Sequence, residues 1–231
     1  MTYGAHGFAE LERLYQNKPY QGQDPRSSCV IFLGRDANYP QALAEAETFF
    51  QLILEYHKNG VAFWEKYRLH HPFLHPENPF IKYKDQRFKA GVRYHKIFAK
   101  MGLDPGFAKH ISFVEILNKA TSGNTGEDKH NWFYQNIDDK HIQWLEEVLL
   151  GPSEKTVFVP KTVLSVDLAK VYRKTGRFKW LLDADHRSTV DTPECILEKN
   201  ESRFFKCGHF SGAITNSHLS AISSVIRRSV G

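Results

Sequence analysis

The strongest constraint on this chain is an alternation of period. Short, nearly continuous apolar runs alternate with longer stretches whose apolar residues recur every three to four positions. The runs Ser28–Gly34 (SCVIFLG), His110–Thr121 (HISFVEILNKAT) and Lys155–Pro160 (KTVFVP) have the length and bounding turns of buried strands. A further strand is expected around Arg203–Lys206, and another around Cys195–Leu197. Between them, residues 41–60, 86–102, 138–152, 165–176 and 216–228 carry a helical period. Asn59-Gly60 is expected to stop the first of these helices, Asp138 or Asp139 to cap the third, and Gly151-Pro152 to end it. Residues 61–83, rich in Pro, His and aromatics, are expected to form an irregular excursion. Strands alternating with helices specify a mainly parallel sheet covered on both faces, hence an α/β fold with three layers, α/β/α. In such sheets ligands bind beyond the carboxyl ends of the strands.

Composition narrows the class. A chain of 231 residues, 41% hydrophobic, suits one domain spanning 1–231, with residues 1–27 as a helical or irregular extension. No apolar run is long enough to span a bilayer, and the N-terminal stretch lacks the apolar core of a secretory signal. A cytoplasmic protein is expected, or a nuclear one in a eukaryotic cell, acting as a monomer away from membranes. Three dispersed cysteines, Cys29, Cys195 and Cys207, argue against a disulfide framework and against a four-cysteine metal site. The net charge of +5 is compatible with a polyanionic partner but does not specify one. His70, His71 and His75 suggest a metal site at first sight, but Pro72 and Pro76 break the helix that would align them, and no metal is expected.

Three expected strands end in chemically useful groups. The first runs into Gly34-Arg35-Asp36, the second into Leu117-Asn118, and the last into Gly208-His209-Phe210-Ser211-Gly212. Each has an ordinary explanation. Asp36 can cap a helix starting near Pro40, Asn118 can close a turn, and His209 is one of twelve histidines. An acid, an amide and an imidazole at the same end of one sheet would nevertheless meet in one crevice.

In these segments the chain resembles the uracil-DNA glycosylase superfamily. Gly34-Arg35-Asp36-Ala37-Asn38-Tyr39 is similar to the family's first motif (G-Q-D-P-Y or G-x-N-P-G), and His209-Phe210-Ser211 to its H-P-S motif. Glu115-Ile116-Leu117-Asn118 resembles the L-L-L-N of the classical uracil-excision branch, and Gly60-Val61-Ala62-Phe63 its G-x-x-F. The order of the four agrees, across roughly residues 28 to 228. The chain departs from the family at Ala37, at Asn38-Tyr39 and at Phe210, which leaves the base open.

The resemblance implies a hydrolase without cofactor that removes uracil from DNA by base flipping. It gives Asp36 the role of orienting water and supporting the cationic sugar, and His209 that of hydrogen-bonding the departing base. Asn118 would read the base edge, Phe63 would stack on the ring, and Tyr39 or Asn38 would stand near base C5. Ser211, Gly212, Ala213 and Ile214 would meet the DNA, with Ile214 or Leu219 as the side chain filling the gap. Lys170, Arg173, Lys174 and Arg177 form a basic cluster that can touch the DNA backbone or simply face solvent. Alternatives are a glycosylase for hypoxanthine or 5-hydroxymethyluracil, a DNA-binding module without catalysis, and an unrelated α/β hydrolase.

Overall fold

The structure is a computed structural model, and it describes residues 2–82, 91–128, 131–184 and 191–231. The expected helix over 86–102 therefore lies partly outside the described residues. In chain order the elements are β1 (Gly4–Ala5), α1 (Ala9–Asn17), β2 (Tyr20–Gly22), β3 (Val30–Gly34), β4 (Ala37–Asn38), α2 (Glu47–Lys58), α3 (Gly60–Tyr67), α4 (Val92–Ala99), β5 (Ile111–Glu115) and β6 (Ala120–Ser122). There follow α5 (Trp132–Gln135), α6 (Asp139–Leu149), β7 (Lys155–Pro160), a π-helical turn at Val163–Asp167, α7 (Leu168–Thr175), α8 (Lys179–Leu182), β8 (Glu194–Lys199), β9 (Ser202–Cys207) and α9 (Asn216–Val230).

Among the described residues, six strands form one sheet in the order β2-β5-β3-β7-β9-β8. The inner four are parallel, and both edge strands run antiparallel to their neighbours. Period-two alternation divides each inner strand between two apolar clusters. Ile31, Leu33, Val114, Val157, Val159 and Phe204 pack on one side with residues of α6 and α7. Val30, Phe32, Phe113, Phe158 and Phe205 pack on the other with Phe98 of α4 and Leu219, Ile222, Val225 and Ile226 of α9. A mainly parallel sheet flanked by helices is thus present, as the alternation of periods requires. No helix among the described residues is long and apolar enough to cross a membrane.

Three boundaries differ from the sequence reading. Residues 1–27 contribute an edge strand, β2, to the main sheet. Asn59 does more than end α2: its side chain accepts from Ala62 N–H at 3.0 Å and caps α3, so 60–67 are helical rather than irregular. The run 110–121 is two strands in two sheets. β5 ends at Glu115, the chain turns through 116–119, and β6 joins a small second sheet between β1 and β4.

Candidate functional site

β3 and β5 end side by side, with Gly34 directly opposite Glu115. The glutamate carboxyl folds back over Gly34, and a Cβ at residue 34 would lie only 2.7 Å from its Cδ. That close approach is the reason for glycine at this strand end. Beyond it the chain turns outward, and a cavity of about 780 Å³ opens at the carboxyl ends of the parallel strands. Its lining draws on Gln21 of β2, Arg35, Asp36, Asn38 and Tyr39 after β3, and His71, Phe73, Tyr94 and His95. Phe113 and Glu115 of β5, Asp167 of the π-helical turn, and His209, Ser211 and Gly212 after β9 also line it.

Asp36 does not cap the following helical turn, whose N-cap is Pro40. Its carboxylate is almost fully enclosed, with 4% of the side chain accessible. Thr121 Oγ donates to Oδ2, and Arg35 Nε stands 3.9 Å from Oδ1. Burial raises the Asp36 pKa, while the threonine hydroxyl and the arginine work against that rise. Arg35 is shared: its guanidinium also binds Asp128 at 3.1 Å and Asp167 at 3.2 Å, and it lies over the rings of Phe133 and Tyr3. Burial moves Asp167 up to about 6 despite that arginine.

His209 has its tautomer set by the turn that follows it. Ser211 N–H donates to Nδ1 at 3.0 Å, so in the neutral ring the proton sits on Nε2. Desolvation lowers the pKa of this imidazole and favours that neutral form. Gly212 N–H donates to the His209 carbonyl at 2.8 Å. The amides of 211 and 212 are therefore both directed to His209, while Ser211 and Gly212 themselves line the cavity.

The expected quartet of Asp36, His209, Asn118 and Phe63 is only half brought together. Phe63 is 1% exposed, packs on Tyr56 and Tyr67, and does not line the cavity. Asn118 stands three residues beyond the end of β5, in the turn between the two sheets, and does not line the cavity. Glu115 occupies the strand-end position expected of it. Phe73 supplies the aromatic wall expected of Phe63, its ring tilted against His71, Tyr39 and His95. Ala213 is exposed and Ile214 packs against the core cluster under α9; neither lines the cavity. Leu219 is core. Tyr39 pairs its buried hydroxyl with that of Tyr15 at 2.8 Å, and Asn38 donates to Gly123 O and Thr121 Oγ, so both are fixed features of the wall. In the basic cluster, Lys174 donates to the carbonyls of Tyr134 and Gln135, and Arg177 binds Glu146.

Three imidazoles cluster at the cavity, His71 and His95 in its wall and His70 beside them. His71 and His95 lie parallel at 3.6 Å, and His70 Nε2 stands 3.1 Å from His95 Nδ1. Burial lowers the pKa of all three, that of His70 to about 3, and holds them neutral. Burial and the charge of Asp36 push Glu115 up to about 8. Gln21, Phe73, Tyr94 and His95 were not singled out from the sequence, which named His71 only as a discounted metal ligand and Glu115 only as the first residue of a motif. The usable signal was local for Glu115, since the alternation of Phe113 and Glu115 puts both on one face of β5. For the others only tertiary contact reveals the role.

The chain matches no protein-family model, no curated protein sequence and no solved structure.

Proposed function

We propose that the protein is a monofunctional DNA glycosylase, built as a three-layer α/β/α sandwich, that hydrolyses the N-glycosidic bond of a uracil-type base flipped out of DNA. The observation that carries this reading is the pairing of Asp36 with His209 across one cavity. They come from the ends of different parallel strands, one a desolvated carboxylate and the other a neutral imidazole with its donor proton on Nε2.

The chemistry follows from those two states. As the bond from C1′ to the base breaks, positive charge grows on the sugar and negative charge on the base. Asp36, whose charged form the Thr121 and Arg35 contacts favour, stabilises the sugar cation and orients water for attack at C1′. His209 Nε2–H donates to the base oxygen on which charge accumulates, and no proton need be transferred for that stabilisation. The water supplies the C1′ hydroxyl and gives up its other proton through Asp36, while the base leaves with the bonding electron pair and takes up a proton on release, so the hydrolysis balances without a cofactor. Phe73 offers its ring as a stacking surface for the extruded base.

The test is incubation with labelled single- and double-stranded oligonucleotides carrying uracil, hypoxanthine, 5-hydroxymethyluracil or a thymine mismatch, followed by alkaline cleavage of abasic sites. Scission at uracil is expected. Absence of scission with every substrate overturns the reading, and binding without scission would instead indicate a module without catalysis.

A further inference from the structure

Behind the pair of Asp36 and His209, the cavity holds a second set of polar groups that the hydrolytic step does not use. Gln21 of β2 is paired with Phe113 of β5, and Glu115 lies two residues further along β5. Side chains opposite each other across a strand pair share a face, as do residues two apart along a strand. Gln21, Phe113 and Glu115 therefore stand in a row on one face, and all three line the cavity.

The orientation of Gln21 follows from a chain of hydrogen bonds. Phe73 N–H donates to His71 Nδ1 at 3.1 Å. That fixes the proton of neutral His71 on Nε2, which stands 3.0 Å from Gln21 Oε1 and donates to it. The oxygen of the Gln21 amide is thereby engaged, and its NH2 group is the part left for a ligand. Glu115 is different in kind. Its carboxyl makes no hydrogen bond or ion pair among the described residues, whereas Asp36 has Thr121 and Arg35. Two carboxyl groups facing one desolvated cavity do not both ionise readily, and the one without a cation or donor keeps its proton. Burial and the Asp36 charge act on Glu115 in that direction.

We propose that Gln21, oriented by His71, and Glu115, held as a neutral acid, read the edge of the bound ring, and that they select an imide or lactam edge, in which a ring N–H adjoins a carbonyl. Gln21 NH2 requires an acceptor on the ring, so a carbonyl fits and an exocyclic amino group sets donor against donor. Glu115 accepts from the ring N–H through its C=O and keeps an O–H to donate. Uracil satisfies the pair, and hypoxanthine satisfies it at one carbonyl; in cytosine and adenine an amino group stands in place of that carbonyl and meets the Gln21 NH2 donor to donor, so the discrimination falls on Gln21, since Glu115, with one donor and one acceptor, accommodates either ring nitrogen. This deepens the excision reading, because it rests on the same cavity, but its residues are separate from Asp36 and His209.

The experiment reads base preference in two ways. Free uracil and cytosine are titrated into the full-length protein with ligand-observed NMR, and excision of uracil and cytosine from matched oligonucleotides is measured in parallel. Wild type is expected to bind uracil at least about tenfold better than cytosine, since a buried unpaired donor costs roughly 1–3 kcal/mol. In Gln21→Glu the group facing the ring becomes an acceptor, and the preference should collapse or invert. In His71→Phe the amide is free to flip, and the preference should fall toward unity. Glu115→Gln keeps one donor and one acceptor and should retain uracil binding within about threefold, whereas Glu115→Ala should lose about tenfold or more. Thermal melts confirm folding of each variant, and Gln21→Glu and Glu115→Gln change almost no volume.

Uracil preference unchanged in Gln21→Glu overturns the inference even if excision occurs. Excision absent with the binding pattern intact overturns the glycosylase reading and leaves the edge-reading pair standing. If excision occurs but free bases bind too weakly to measure, the uracil-to-cytosine excision ratio across the variants decides. No binding of either base together with no excision overturns both.

Discussion

Gly34 and Glu115 are partners across the β3–β5 ladder, and the glutamate carboxyl fills the space where a side chain on residue 34 would begin. Gly34→Ala is therefore expected to expel that carboxyl or shift β3. Because the clash is with the far end of a flexible side chain, the cost is expected near or below the low end of the roughly 1–3 kcal/mol typical of overpacking. A chemical-denaturation midpoint measured for Gly34→Ala against wild type checks the cost. Double substitution with Glu115→Ala should recover most of it, because the three atoms nearest a Cβ at residue 34 all belong to Glu115; failure to recover would mean that the backbone itself resists the methyl.

Asp36 and His209 should dominate the rate without dominating stability. Asp36→Asn and His209→Ala are each expected to slow single-turnover excision by about 10²-fold or more, in the range found for preorganised electrostatic groups and general acid–base residues. Base binding should change far less. Rates within a factor of a few of wild type in either variant would remove that residue from the mechanism.

Thr121 tunes Asp36. Its hydroxyl donates to the carboxylate and so favours the charged form, working against the burial that raises the Asp36 pKa. Thr121→Val removes the donor at nearly constant volume, so the pKa should rise further. Activity that needs the Asp36 anion is lost as pH falls through that pKa. The acid limb of the pH–rate profile should accordingly move to higher pH in Thr121→Val, with the plateau rate little changed.

The stacked imidazoles make acid stability a property of the cavity wall. His70, His71 and His95 are held neutral by burial, so in the folded state they bind protons only well below the ordinary value of 6.5, at about 3 for His70. The unfolded chain takes up those protons first as pH falls through 6.5, and stability declines with it. Glu115 has the opposite sign. Folded, it keeps its proton up to about 8, while unfolded it loses it near 4.5, so it adds stability that fades as pH rises between those values. Melting temperatures from pH 7.5 down to pH 5 should therefore fall, and fall more steeply in Glu115→Gln, where the opposing contribution is gone. An equal or shallower slope in that variant would show that Glu115 is already ionised in the folded protein.

Much of the frame was legible because contiguous apolar runs leave few alternatives. β3 and β7 are such runs and appear within two residues of where the sequence puts them. Asp36 and His209 were legible for the same reason, since each follows a strand whose end was clear. Asn118 was not, because His110–Thr121 looks like one strand and is two. The period-two pattern stops at Glu115, and the residues that prolong the apolar run belong to a turn and to another sheet. Read with that break, the strand itself puts Glu115 at the rim. Phe63 was misread through local likeness: it sits on a helix capped by Asn59, with its ring turned to Tyr56 and Tyr67. Gln21, His71 and Phe73 are joined across some fifty positions by hydrogen bonds that leave no mark on local pattern.

The edge strand β2 gives the cavity a property of timing. Gln21 comes from the first strand of the main sheet and His209 from the turn after the last one, with Asp36 and Glu115 between them in the chain. A ribosome-bound chain that has emerged only as far as β7 has Gln21, Asp36 and Glu115 in hand but not the imidazole. The parallel pairing of β9 against β7 delivers the imidazole as nearly the final strand event of assembly. A growing chain thus sets Gln21, Asp36 and Glu115 around the cavity before His209 can join them.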